Sequence, residues 1–274
     1  MIDTNDSEFL SRIEDKDLLS KICDGKTAAQ MFQQGDIIGI SGFTPCGYPK
    51  ITMHELAERM KETPFQVDIW SGASTGSQID SELVAVNGIR NRMPYQTNSN
   101  LRKAINAGQI NYFDLHLSHV AQQIRAGFFT NYKGERVYGP DYAVVEVCKI
   151  GPNGELYPTT AIGNSPVFVD TAKKVIVEVN TTQPLELAGM ADIYMRKNPP
   201  FCEPIPIVHA GDRVGTPYIP CDPAKIVAVV PCDLPDVTRA LAPLDDDAEA
   251  MGNNLVEFLT NEVKHGRLPE NSPV

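Results

Sequence analysis

The sequence lacks several features that would assign it to a class at once. None of its six cysteines lies in a Cys-x-x-Cys spacing, which argues against a zinc ribbon and against a small disulfide scaffold. No apolar run is long enough to cross a membrane, and the first thirty residues mix charged with isolated apolar side chains instead of forming a signal-peptide core. We therefore expect a cytoplasmic protein with no membrane association, whose cysteines are mostly small buried residues in a reducing compartment.

Clustered positive charge is also missing. The chain has 24 Lys and Arg against 35 Asp and Glu, a formal net charge of −11, and its basic residues are scattered. Binding to a phosphate backbone requires grouped Lys and Arg, so nucleic acid is not an expected partner. A small anionic ligand is still compatible with this charge, because a few backbone N–H groups and hydroxyls set the local field.

Alternating apolar strands and amphipathic helices dominate what is present. A chain of 274 residues that is 42% hydrophobic can bury a sizeable core. Strands are predicted at 36–40, 66–70, 111–117, 142–148, 174–179 and 225–230, and helices at 26–34, 53–60, 101–107, 118–126 and 248–263. This alternation predicts a three-layer α/β fold, an open and mostly parallel sheet with helices on both faces. We expect one α/β domain over residues 1–230, followed by a linker and helix over 231–274.

Two glycine-bearing loops each follow an apolar strand. They span Ser41–Lys50 and Ser71–Gly76, and a third polar stretch runs over Pro94–Asn100, where Asn98 or Ser99 is expected to cap a helix. The carboxyl edge of a parallel sheet is where α/β folds place ligands, and glycines there allow close approach of backbone N–H groups. The hydroxyls of these loops add donors without charge, so the pattern favours a site for an anion or a carbonyl.

Each motif also has a purely structural interpretation. The loops could be tight turns that need glycine, and Cys46 could be a small residue that fits such a turn instead of a nucleophile. His116 and His119 could share a metal on one helix face, but no third ligand follows at a suitable spacing, and a strand end with a packed or capping histidine is favoured. Asp245 to Asp247 are expected to cap the last helix.

Taken in order along the chain, these motifs resemble one known family. They are Ser41–Lys50, Ser71–Gly76, Pro94–Asn98, His116–His119, Gly163–Asn164 and Glu186–Asp192. The sequence resembles the N-terminal half of the acetyl-CoA hydrolase/transferase family, the class I CoA-transferases, above all its succinyl-CoA and acetate CoA-transferase members. The resemblance implies the family's N-terminal fold, which is similar to that of the NagB/RpiA proteins.

The resemblance also implies a reaction, in which a glutamate attacks an acyl-CoA and CoA passes through a glutamyl thioester to another short-chain acid. In the family that glutamate lies in a second α/β half, so the 274-residue chain alone is expected to be inactive. By motif, Ser74 and Thr97 correspond to residues of the carboxylate pocket, and Gly42, Phe43 and Thr44 to its wall.

Coenzyme A is then expected as part of the acyl-CoA substrate, with no permanently bound cofactor and no metal. The expected partners are the C-terminal domain of the longer protein and other copies in a homo-oligomer. Two alternatives stay open at this point, namely an acetyl-CoA hydrolase and a non-catalytic module that binds small carboxylates.

Overall fold

Short apolar runs form the strands of the central sheet in the computed structural model, which describes residues 3–237 and 241–272. The strands are β1 Ile37–Ile40, β2 Val67–Ser71, β3 Ile89–Met93, β4 Asn111–Tyr112, β5 Phe129–Thr130, β6 Arg136–Val137, β7 Tyr142–Ile150, β8 Leu156–Pro158, β9 Lys174–Asn180 and β10 Ile226–Cys232. The helices are α1 Ser7–Ser11, α2 Gly25–Ala29, α3 Ile51–Glu62, α4 Ser77–Ala85, α5 Ser99–Asn106, α6 Leu117–Arg125, α7 Ser165–Thr171 and α8 Asp246–Lys264. The chain divides into two compact units after residue 237.

The sheet of the first unit is parallel along its main path. Its strand order is β10-β9-β7-β1-β2-β3-β4, with β8 paired antiparallel to β7, and β5 and β6 form a separate hairpin. The carboxyl ends of β1, β2 and β3 therefore meet at one edge of the sheet. The loops that follow these three strands are the ones singled out in the sequence.

Both faces of the sheet are covered by helices. On one face Ile38 and Ile40 pack in a cluster with Met53 and Leu56 of α3. On the other face Ile37 belongs to a second cluster, which holds Phe168 of α7 and Val120 of α6. This alternation along β1 produces three layers and confirms the predicted fold class.

Four elements differ from the predictions. The strand predicted over 111–117 is wrong in length, because β4 is a two-residue edge strand, and the helix predicted over 26–34 ends at Ala29. Helix α4 and strand β3 were not predicted at all. The sequence of β3 carries two arginines and an asparagine, and its buried Arg92 is neutralised by Asp80 of α4, a partner that no local pattern shows.

The second unit contains α8. Its N-terminus is capped by Asp245, whose carboxylate accepts a hydrogen bond from the N–H of Ala248 at 2.8 Å, and this confirms the predicted cap. Large apolar side chains on this helix are exposed, among them Leu255 and Phe258. Among the described residues, no helix combines the length and the apolar character that a bilayer crossing demands.

Candidate functional site

Three loops touch at the carboxyl edge of the sheet through glycines. A Cβ atom placed on Gly72 would lie 2.7 Å from the carbonyl oxygen of Gly42 and 3.0 Å from the Cα of Gly163. A Cβ on Gly163 would in turn meet the Gly42 oxygen at 2.8 Å. The loops after β1, β2 and β8 therefore approach more closely than any larger residue would allow, which fixes their relative positions.

Two hydroxyl groups on the loop after β2 are buried and have no hydrogen-bond partner in the described chain. Ser74 and Thr75 are 2% and 5% exposed, and their Oγ and Oγ1 atoms make no hydrogen bond with any described residue. A buried hydroxyl without a partner costs about 1–3 kcal/mol, so folded proteins rarely keep one. Ser74 and Thr75 are two such hydroxyls in adjacent positions, and a hydrogen-bond acceptor brought to them would recover that energy.

The other residues predicted for the pocket lie on the same loops but differ in exposure. Phe43 is 47% exposed, and Thr44 has a positive φ of 55° and donates its hydroxyl to the carbonyl of Phe43 at 2.6 Å. Thr97 is exposed on the loop after β3. Its neighbour Asn98 caps α5, accepting hydrogen bonds from two backbone N–H groups of that helix at 2.9 Å, which confirms the predicted capping role. The assignment of Ser74, Thr97, Gly42, Phe43 and Thr44 to a substrate pocket stays a prediction.

A buried ionic cluster underlies these loops, and the sequence reasoning missed it. The Nζ atom of Lys50 lies 2.6 Å from Glu146 and 2.9 Å from Asp236, and the Lys50 and Glu146 side chains are 2% and 0% exposed. Asn180 and Thr159 donate further hydrogen bonds to Glu146 at 2.9 and 2.8 Å. The signal that could have revealed it is a lysine closing the first loop together with a glutamate inside the β-branched run of β7.

Asp236 ties the segment that follows β10 to the first loop. Its carboxylate accepts a hydrogen bond from the N–H of Gly47 at 3.1 Å, from Thr160 at 2.5 Å and from Gln183 at 3.2 Å, besides its ion pair with Lys50. Burial acts to raise the pKa of Asp236, but the hydrogen bond from Thr160, the hydrogen bond and charge of Lys50, and the N–H of Gly47 together lower it. The carboxylate is thus held ionised as an anchor between three loops.

A second buried glutamate holds the start of α3. The Glu178 carboxylate accepts hydrogen bonds from the backbone N–H groups of Lys50, Ile51 and Thr52 at 2.7, 3.1 and 2.6 Å. The first N–H groups of a helix have no partner within it, and a carboxylate there is favoured by the helix dipole. Because Glu178 comes from β9, this contact fixes α3 and the first loop against the sheet.

Burial dominates the protonation behaviour of the cluster. It raises the pKa of Glu146 to about 7, because desolvation of the carboxylate outweighs the attraction of Lys50. Burial opposes the charge of Lys50 as well, but Glu146 and Asp236 together raise the pKa of that amine. Burial, with the Asp236 charge, also raises the pKa of the Cys46 thiol, so the structure provides no activated thiolate at this loop.

The two histidines lie near each other at the start of α6. Their ring centroids are 5.5 Å apart, and His116 Nδ1 lies 2.7 Å from the Ser118 hydroxyl. Within residues 3–237 and 241–272, no group of three or more His, Cys, Asp or Glu is placed to hold a metal ion. His116 stands at the N-cap position of α6 without a side-chain capping bond.

Comparison of the sequence with known proteins shows similarity to one protein family. Residues 8–231 match the model of the acetyl-CoA hydrolase/transferase N-terminal domain. The chain is 45% identical to a succinyl-CoA:acetate CoA-transferase of Clostridium kluyveri over 95% of its own length and 47% of that protein. It is 39% identical to an acetyl-CoA hydrolase of Yarrowia lipolytica, over 95% of the chain and 51% of that protein.

The solved structure of RipA from Yersinia pestis shares the fold with a TM-score of 0.58 at 13% identity, covering 87% of this chain and 48% of that one. At this identity the likeness concerns the fold alone. The chain spans about half the length of the curated relatives that it matches.

Proposed function

The chain belongs to the acetyl-CoA hydrolase/transferase family, and from that premise we propose that it forms the carboxylate-binding side of the cleft of a CoA-transferase. The enzyme would move CoA between short-chain acids such as acetate and succinate. Coenzyme A would enter and leave as part of the substrate, and nothing else would be bound permanently. The six cysteines are free, which supports a cytoplasmic location, but only Cys148 and Cys232 are buried, so the expectation that most of them are buried is wrong.

The main support for this proposal is the pair of unpaired hydroxyls on the loop after β2. Ser74 and Thr75 follow Gly72, which contacts the backbone of Gly42, and their hydroxyls are buried and unpaired in the described part of the 274-residue chain, so a ligand would reach them only when this loop opens. A carboxylate has lone pairs for several such donors, and preorganised neutral donors can hold it without a counter-charge. Gly42, Phe43, Thr44 and Thr97 would complete the wall of this pocket.

The attacking glutamate of the reaction would come from the second half of the longer protein. Support comes from Glu146 and Glu178, the two glutamates buried near these loops besides Glu55 of α3, since each of the two already accepts three hydrogen bonds and neither is accessible. A nucleophile must reach the acyl carbon, and these two cannot do so without dismantling the sheet edge. The C-terminal domain of the longer protein would be the partner that supplies this glutamate, and other copies in a homo-oligomer are the second partner proposed.

Carboxylate binding by the 274-residue chain tests the pocket. Titration with succinate, followed by the amide signals of Gly42 and Gly72 in NMR spectra, should give a saturable shift. Ser74→Ala should weaken that binding about tenfold, since a hydrogen bond to a charged group contributes about 1.5–3 kcal/mol. Ser77→Ala is the matched control, because Ser77 is exposed three residues further along the chain. Equal binding by both variants would overturn the pocket assignment.

Thioester chemistry is tested separately. The 274-residue chain, given acetyl-CoA or succinyl-CoA with acetate, should release CoA no faster than buffer does. Turnover like that of an intact enzyme would show that the attacking group lies in this chain and would overturn the proposal.

Acetyl-CoA hydrolysis is the second candidate, and the 39% identity to an acetyl-CoA hydrolase favours it. In that case water, not a carboxylate, would resolve the thioester. In the longer protein, release of CoA from acetyl-CoA that does not depend on an added acid would support hydrolysis. A strict requirement for the second acid would support transfer.

A further inference from the structure

A small aromatic cavity lies apart from the site described above. It has a volume of about 240 Å³ and opens between β2, β3 and the hairpin of β5 and β6. Trp70, Phe113, Phe128 and Phe129 supply most of its walls, and the Trp70 and Phe129 rings lie 5.3 Å apart at an angle of 53°. Drug-sized ligands occupy pockets of about 300–1,000 Å³, so this one suits a single ring system.

Its polar lining residues are Asn91, Thr130, Asn131 and the ion pair of Arg90 with Asp68, in which one N–H group of the guanidinium has no hydrogen-bond partner within the described chain. Arg90 binds the buried carboxylate of Asp68 through Nε at 2.8 Å and through Nη2. The Nη1 group of Arg90 donates no hydrogen bond to any residue of 3–237 or 241–272, and neither does the indole N–H of Trp70. Arg90 and Trp70 both line the cavity and have N–H groups that are unpaired in these ranges, while the Asp68 carboxylate already accepts hydrogen bonds from Arg90 and Asn91.

These features define the chemistry of an occupant. Aromatic walls favour a flat ring, which packs against them by stacking or edge-to-face contacts. The free donors of Arg90 and Trp70 require acceptor atoms on that ring. Because Asp68 offsets the charge of Arg90 at hydrogen-bond distance, the cavity provides no net positive charge for an anion.

We propose that this cavity binds a flat, neutral nitrogen heterocycle of nucleobase size, held between the aromatic side chains with its ring or carbonyl acceptors toward Arg90 and Trp70. The proposal is independent of the thioester chemistry, because none of these residues belongs to the loops around Gly42, Gly72 and Gly163. The test therefore needs neither an acyl-CoA nor catalytic turnover.

The sequence contains a single tryptophan, and it lines the cavity. The indole N–H signal of Trp70 in a ¹⁵N-correlated NMR spectrum therefore reports occupancy without assignment of other residues. Adenosine at rising millimolar concentration should shift this signal saturably. Benzoate, a flat but anionic ring, should bind more weakly than adenosine, and ribose alone should cause no shift.

Two phenylalanines provide a matched pair of variants. Phe128 lines the cavity and is 70% exposed, whereas Phe201 is 72% exposed and does not line it. Phe128→Ala should weaken adenosine binding about three- to tenfold, the range of one aromatic contact, and Phe201→Ala should leave it unchanged. Phe113→Ala, at a half-exposed wall position, provides a second test if Phe128→Ala fails to fold.

Three outcomes would overturn the proposal. They are the absence of a saturable Trp70 shift with adenosine in the folded protein, an equal loss of affinity in Phe128→Ala and Phe201→Ala, and tighter binding of benzoate than of adenosine. The last result would show that the cavity selects charge and not a neutral ring.

Discussion

Two groups of buried polar side chains lie at the same edge of the sheet, and they differ in how completely they are paired. Around Lys50, the carboxylates of Glu146, Glu178 and Asp236 each accept several hydrogen bonds. On the loop after β2, the hydroxyls of the buried Ser74 and Thr75 have no partner in the described chain.

Under the proposed function, this difference separates a structural role for the Lys50 cluster from a binding role for the loop after β2. Ordinary folded proteins pair their buried polar groups, and the charged groups of the Lys50 cluster are paired in joining three loops to the sheet, although the buried Thr52 hydroxyl beside them has no partner in the described residues either. A pair of adjacent hydroxyls left unpaired beside that rigid support is what a preorganised ligand site requires. Each of the following predictions alters either the Lys50 cluster or the loop after β2 and states the expected change in stability.

Removing the cation of the Lys50 cluster should have the largest effect on the unfolding free energy. Lys50→Met would leave the Glu146 carboxylate buried beside Asp236 without a cation, and breaking a buried ion pair in this way costs about 3–5 kcal/mol. Urea unfolding at pH 8 measures the loss of unfolding free energy. Lys173→Met is the control, because its pair with Asp141 is exposed and should contribute less than about 1 kcal/mol. Similar losses in both variants would contradict the structural role of the cluster.

The pH dependence of stability should show the burial of Glu146. Its pKa rises from 4.5 to about 7 on folding, so between these values the folded protein holds a proton that the unfolded chain has released. The unfolding free energy should therefore fall as the pH rises from about 4.5 to about 7, by up to about 3 kcal/mol. Urea unfolding at several pH values should show this slope in the native sequence and a flatter one in Glu146→Gln. Parallel slopes would mean that Glu146 does not titrate in this window.

A methyl group at the glycine contact should disturb the loops directly. Gly72→Ala places a Cβ 2.7 Å from the Gly42 oxygen, and overpacking of this kind costs about 1–3 kcal/mol. Gly72 does not have a positive φ, so the cost would arise from space alone. Gly211→Ala, where a Cβ meets nothing within 4 Å, should be neutral. Thermal unfolding compares the two, and an undisturbed Gly72→Ala protein would show that the loops can separate freely.

The sequence predicted what depends on local pattern. Apolar β-branched runs located β1, β7, β9 and β10, and hydroxyl-bearing glycine loops identified the edge of the sheet where the candidate site lies. Sequence-based prediction failed for elements and contacts that depend on residues far apart in the chain.

Strand β3 was missed because Arg92 is tolerated in the core only through Asp80 of the preceding helix. The Lys50 cluster was missed for the same reason, since Glu146 and Asp236 lie 96 and 186 residues further along the chain (146 − 50 and 236 − 50). Pairing over such separations becomes visible only when the sheet order is known.

The smallest effect is expected at Thr75, and comparison with the matched Thr159 makes it the sharpest test. Thr159 donates its hydroxyl to the Glu146 carboxylate at 2.8 Å, so Thr159→Val should cost about 1.5–3 kcal/mol. Thr75→Val removes a hydroxyl that has no partner, and it should leave the unfolding free energy unchanged or raise it by up to about 1 kcal/mol. Urea unfolding of both variants under one condition measures the difference. If Thr75→Val were as destabilising as Thr159→Val, the Thr75 hydroxyl would already be paired in the free protein. The loop after β2 would then be a structural element like the cluster beneath it, and the carboxylate pocket would lose its main support.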